Sequence, residues 1–185
     1  MMRKTISVAS LIFVFILLLG SNCNQPAPIT RPGSPYDGSA FWARDIAQPL
    51  ITNFAGDAQL YNVMGAQVMV DGRLPTNLGN WSMVAWSPSR QEEFQVIVKN
   101  DGTTSTSTRQ QATAPGANNQ PVPAGWVNST VIFNATNGHR DAGASMATLA
   151  VFNIATYSRA IWGMNFNAGQ NQYVNWDGTY IGTSP

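Results

Sequence analysis

The chain has very little of the side chains that most chemistry needs. Its 185 residues hold one cysteine, Cys23, and one histidine, His139. A disulfide and a zinc site built from several Cys and His ligands are therefore excluded within the chain, and a Cys–His nucleophile pair is excluded as well if Cys23 carries a lipid. Only 10% of the residues are charged. Neither a phosphate-binding Gly-rich loop nor a dinucleotide fingerprint is present. Beyond the first 23 residues there is no long apolar run that could cross a bilayer. What is abundant is Asn, Gln, Ser, Thr and Gly, with six Trp set among them.

The first residues have a layout of their own. Arg3 and Lys4 precede Leu11 to Leu19, an uncharged apolar core, and small or polar residues follow up to Cys23. This three-part order is that of an export signal, and the core is too short for a comfortable membrane span. An uncleaved N-terminal anchor is the alternative. The segment LLLGSNC resembles the lipobox of bacterial lipoprotein precursors, in which the signal is cut before a Cys that carries the lipid. Gly20 stands where that pattern has Leu, and Asn22 where it has Gly or Ala. The resemblance implies a signal peptide over 1–22, lipidation of Cys23, and a membrane anchor in the bacterial cell envelope, on the outer membrane or a periplasmic face. Ordinary cleavage near Asn22, giving a secreted protein, is the competing reading.

Without Arg3 and Lys4 the chain keeps eight basic against nine acidic side chains. That balance offers no basic surplus for nucleic acid or for anionic lipid. Asn24 to Ser39 has four Pro and two Gly, so 23–40 reads as the lipidated Cys and an extended tether.

The folded part is organised around Trp81 to Thr103, WSMVAWSPSRQEEFQVIVKNDGT. Ser87-Pro88-Ser89-Arg90 is a turn, and Phe94, Val96 and Val98 alternate with Gln95, Ile97 and Lys99 as in a half-buried strand. Asn100-Asp101-Gly102 ends it. A shorter echo, WGMNFNAGQNQYVNWDGT, runs from Trp162 to Thr179 with its turn at 167–171. Upstream of each lies a helical stretch and a long strand. The first helix is Phe41 to Phe54, with Ser39 as cap, an apolar stripe of Trp42, Ile46, Leu50 and Phe54, and Pro49 as a kink or break. The first long strand is Leu60 to Val70, with Gly65 as a bulge. The second set is Thr130 to Thr136, capped by Ser129, and Met146 to Ile154. Tyr180 to Pro185 is a short tail.

These elements predict an α+β fold of two half-repeats, each a helix followed by antiparallel strands ending in a Trp…Asp-Gly hairpin. The halves span 41–109 and 125–185, joined by a linker over 110–124 inside the polar stretch Thr103 to Pro123, whose start can hold a short extended piece. The order resembles PepSY-like envelope domains and the tandem repeats of β-lactamase-inhibitor-like proteins. That resemblance implies a binding module without catalysis, directed at a protein partner and inhibitory in some members.

Candidate chemistry is sparse. His139, Arg140 and Asp141 share one loop, but adjacency in sequence does not converge side chains on a point. Glu92 and Glu93 open a strand and so face opposite ways, which is poor geometry for acid–base work. No enzyme activity, metal or cofactor is expected, and no nucleic acid. The candidate binding residues are Trp86 and Trp176, near turns, with His139 and Arg140. Trp81, Trp126 and Trp162 fall on core faces. A protein partner is the first expectation, and a carbohydrate- or peptidoglycan-binding module the alternative, because Trp and amides also suit sugars.

Overall fold

In a computed structural model, residues 36–115, 120–136, 146–154, 159–166 and 170–183 are described. Cys23, His139 and Arg140 lie outside them, as does most of the turn expected at 167–171. The elements are α1 (Ala40–Phe54), β1 (Gln59–Ala66), β2 (Asn80–Ser87), β3 (Glu92–Lys99), β4 (Thr104–Gln110), α2 (Ser129–Ala135), β5 (Met146–Ile154), β6 (Arg159–Phe166), β7 (Gln172–Asn175) and β8 (Tyr180–Gly182). All eight strands form one antiparallel sheet in the order β4-β3-β2-β1-β5-β6-β7-β8. The seam is the pairing of β1 with β5, from Val63↔Val151 to Ala66↔Thr148. Helix and antiparallel sheet together make the fold α+β.

Strand alternation decides the core. Trp81, Met83 and Ala85 of β2 and Phe94, Val96 and Val98 of β3 are all buried and opposite one another in register. Val63 of β1, Trp162 of β6 and Val174 of β7 carry the same layer across the sheet. Both helices pack on this layer: α1 through Ala40, Ala43, Ala47 and Ile51, and α2 through Ile132. The expected helix stripe is thus displaced. The small Ala residues face the sheet and let the helix approach closely, while Ile46, Leu50 and Phe54 flank it, only partly buried. Pro49 does not break α1. It lies on the exposed side of the helix, away from the sheet.

β1 is shorter than the sequence suggests. It stops at Ala66 because Gln67 takes a left-handed backbone, φ 60°, and the chain turns back so that Val68 fills the core. The bulge falls between Leu60 and Asn62, not at Gly65. Gly65 instead makes room: a Cβ there would stand 2.6 Å from the Trp81 ring. The polar stretch after Thr103 is not all linker. Thr104 to Gln110 pairs with β3 as an edge strand, and farther on Val122 is buried, its N–H donating to Leu60 O. The tail also yields a strand, β8.

The start of α2 closes the start of α1. Four N–H groups at a helix N-terminus have no partner within the helix. Here three of them find side chains: Ala40 N donates to Ser129 Oγ (3.0 Å), Phe41 N to Asn128 Oδ1 (3.1 Å) and Trp42 N to Ser39 Oγ (3.3 Å), and Ala43 N to Ser39 O (3.1 Å) is the first regular helical bond. Ser129 is the first residue of α2 and not its cap: the position before the helix is Asn128, whose carbonyl accepts from Val131 N. The Ser129 hydroxyl also donates to Gly72 O at 2.6 Å, while Asn128 Oδ1 accepts from Ser129 N.

At the other end of α1, Asp57 holds the β2–β3 turn. Its carboxylate accepts from the Ser87 hydroxyl at 2.6 Å and from Ser89 N at 2.9 Å, and the Ser87 bond leads in holding its pKa below the ordinary carboxylate range. A carboxyl depressed in the fold contributes stability above its unfolded pKa, near 4, and that contribution is lost as pH falls through the folded value. Asp57→Asn is therefore expected to flatten the acid limb of the stability profile below about pH 4. Urea unfolding at a series of pH values checks this, and an acid limb as steep as the parent's counts against it.

Candidate functional site: the open face of the sheet

With α1 and α2 on one face, the alternate side chains of the same strands form the other. Three rows are fixed by register on the first four strands. One is Met64, Ser82, Ile97 and Ser105; the next is Asn62, Val84, Gln95 and Ser107; the third is Gln59, Trp86, Glu93 and Arg109. Among the described residues no helix lies on these rows. Met64 is exposed, and Val84 and Ile97 are half-buried.

The polar members are tied together. Ser107 Oγ donates to Gln95 Oε1 at 3.3 Å, and Gln95 Nε2 donates to Ser82 Oγ at 2.7 Å, a hydrogen-bonded line across three strands. Arg109 bonds Glu93 at 3.0 Å and so neutralises the one acidic side chain in the rows. The face is thus nearly uncharged, with fixed amide and hydroxyl groups between apolar ones. Asn62 Oδ1 is buried and has no partner among the described residues.

Trp86 stands at the edge of this face. Its indole N–H donates to Gln111 O at 2.8 Å, and Tyr61 meets the ring edge-on, centroids 6.1 Å apart. Burial raises the Tyr61 phenol pKa. Trp86 is half-buried, with part of its ring open. Trp176 packs against the core cluster, close to Gly125, and its carbonyl accepts from Val127 N at 2.9 Å. It is half-buried, as Trp86 is, but on the side of the sheet that carries the core, so the two candidate Trp do not form one surface. Glu92 and Glu93 pair with separate arginines, Arg90 and Arg109, as their opposite directions require. Among the described residues no group of three or more His, Cys, Asp or Glu side chains is placed to hold a metal.

The sequence reading missed Met64, Val84, Gln95 and Ile97 as surface residues of interest. The signal was available: they are the other half of the alternation that identifies the core.

No protein-family profile matches the chain. No curated protein matches it in sequence. Among solved structures, it is similar to a crystal structure of a putative lipoprotein from Clostridium difficile, with a TM-score of 0.52 and 8% identity, covering 73% of this chain and 87% of that one. At that identity the likeness is one of fold. Among the described residues no helix is long and apolar enough to cross a membrane.

Proposed function

We propose that the protein is a non-catalytic, lipid-anchored component of the bacterial cell envelope that binds a protein partner on the open face of its sheet. One observation carries the reading: both helices cover the same face, leaving the rows through Met64, Val84 and Ile97 to face outward. An apolar surface interrupted by fixed, uncharged hydrogen-bonding groups suits a protein interface, where charge is depleted at the centre. Inhibition of an envelope enzyme is one form such binding takes. The lipobox-like segment before Cys23 and the description of the Clostridium difficile structure support the anchoring part.

We read the fold as two half-repeats meeting at the β1–β5 seam, in the manner of the PepSY-like and β-lactamase-inhibitor-like tandem arrangements. Two turns support this. Asp101 and Asp177 each accept from the N–H of the Thr two residues on, at 2.9 and 3.0 Å. Gly102 N and Gly178 N each donate three residues back, at 2.9 and 3.0 Å.

The test is capture of partners from envelope extract by the full chain and by Ile97→Glu and Val84→Glu. Each variant places a charge on the outward face, and because both side chains are half-buried a loss of about 1 kcal/mol in unfolding free energy is expected, too little to unfold the domain. Partner capture is expected to fall at least tenfold, about 1.4 kcal/mol of binding free energy. Undiminished capture by both variants would sink the protein-partner reading. Binding to peptidoglycan sacculi that is lost in Trp86→Ala instead would favour the carbohydrate alternative, which draws on the amide and hydroxyl line beside Trp86 and Tyr61.

A further inference from the structure

The described chain begins at Tyr36, where the segment from Cys23 reaches the domain. Tyr36 does not enter at random. Its hydroxyl donates to Leu74 O at 2.7 Å and stands 3.1 Å from Pro75 O. Leu74 N donates to Gly38 O at 2.9 Å, and Arg73 donates to Asp37 O at 2.8 Å while pairing with the Asp37 carboxylate. The entering chain is thus clasped to the loop between β1 and β2. That loop is itself tight: Met69 N donates to Arg73 O at 2.8 Å and Gly72 N to Met69 O at 2.9 Å.

Of the six large apolar side chains exposed among the described residues, four belong to this one place: Tyr36 (42%), Met69 (42%), Val70 (46%) and Leu78 (41%). Exposed apolar groups concentrated in one loop and the segment hydrogen-bonded to it mark a contact surface rather than a scatter. We propose that this loop rests in the lipid surface to which Cys23 is attached, and so fixes how the domain stands on the membrane.

The occupant follows from the chain outside the structure and where it ends. Twelve residues, 24–35, separate Cys23 from Tyr36. Even fully extended they reach roughly 40 Å. The loop clasped to Tyr36 is therefore held within that distance of the bilayer. Charge argues the manner of contact. Asp37, Asp71 and Arg73 form ion pairs on the loop and leave no cationic excess. The contact is apolar and does not depend on anionic headgroups. A few partly exposed side chains are too little to hold a protein to a membrane; the lipid holds it, and the loop sets its orientation.

The proposal rests on the lipid-anchored reading, and the experiment separates the two. Lipidated full chain is reconstituted into phosphatidylcholine vesicles, and into vesicles of equal parts phosphatidylcholine and phosphatidylglycerol. Cys23 being the only cysteine, and acylated, a new thiol at Val70→Cys or Leu78→Cys takes an environment-sensitive dye alone. Thr108→Cys, on the exposed β4 edge, is the control. The dye at 70 and 78 is expected to shift to the blue and be quenched by spin-labelled lipid, equally in both vesicles, and the control is not. Protein that floats with vesicles while its loop labels behave like the control overturns the proposal and leaves the anchor standing. A response confined to phosphatidylglycerol overturns the apolar contact. Protein that does not float with vesicles overturns the anchor and the proposal together.

Discussion

Trp81→Ala is expected to lower the unfolding free energy by about 3–5 kcal/mol, a large share of what a domain of this size has. The side chain has 0% of its surface exposed and fills the space left by Gly65 on the neighbouring strand. Its indole N–H also donates to Gly38 O at 2.9 Å, so truncation removes one of the two hydrogen bonds that carbonyl accepts, the other coming from Leu74 N. Trp162 is buried to the same degree, but its N–H has no partner among the described residues, so its loss is one of packing alone. Trp86→Ala should cost only about 1–2 kcal/mol, since part of its ring already faces water. Urea unfolding of the three variants decides the matter. Equal, small losses at all three positions would place the core on the wrong face of the sheet.

Gly72→Ala is expected to be nearly as damaging, about 2–5 kcal/mol, through the backbone rather than through a lost contact. Gly72 has φ +83°, a left-handed conformation that side chains disfavour. A Cβ there would stand 2.5 Å from Ser129 O and 2.7 Å from Thr130 N, both main-chain atoms that no rotamer change can move away. The residue it would displace is Ser129, whose hydroxyl bonds both Gly72 O and Ala40 N. One methyl group thus disturbs the loop and the starts of both helices. Gly56→Ala is the matching control, because nothing lies within 4 Å of its Cβ position, and it should be neutral or slightly stabilising. Thermal unfolding compares them, and equal melting temperatures for the two variants would refute the close contact at Gly72.

The parts of the fold that local patterning controls were legible in advance. Phe94, Val96 and Val98 alternate in the sequence and are buried in the sheet, and Ser39 caps the helix it precedes. Trp81, Trp126 and Trp162 are all in the core. What was not legible depends on partners remote in sequence. Ala43 and Ala47 look like fillers until a sheet presses against them. Thr104 to Gln110 has no apolar side chain to betray a strand; it is one because β3 offers a free edge. Trp176 lies near a turn and is half-buried, and its neighbours Gly125 and Val127 come from far upstream. The open face was hidden for a different reason. Its residues were visible in the alternation, but attention to the apolar half of each strand passed over the other half.

The seam between β1 and β5 also governs when the fold can form. Met64 and Ala150, partners across it, are 86 positions apart in the chain. A chain delivered from its N-terminus offers β1, β2, β3 and β4 for pairing well before β5 arrives. Through that interval one side of β1 carries unpaired backbone groups next to Val63, a core residue, and such an edge invites the wrong strand. Trp126, which meets Phe41 of the first helix at 4.8 Å, arrives late as well. The first half is therefore not a module that waits complete for the second. It is a template with one side unfinished, and the last third of the chain has to emerge before the first third is safe.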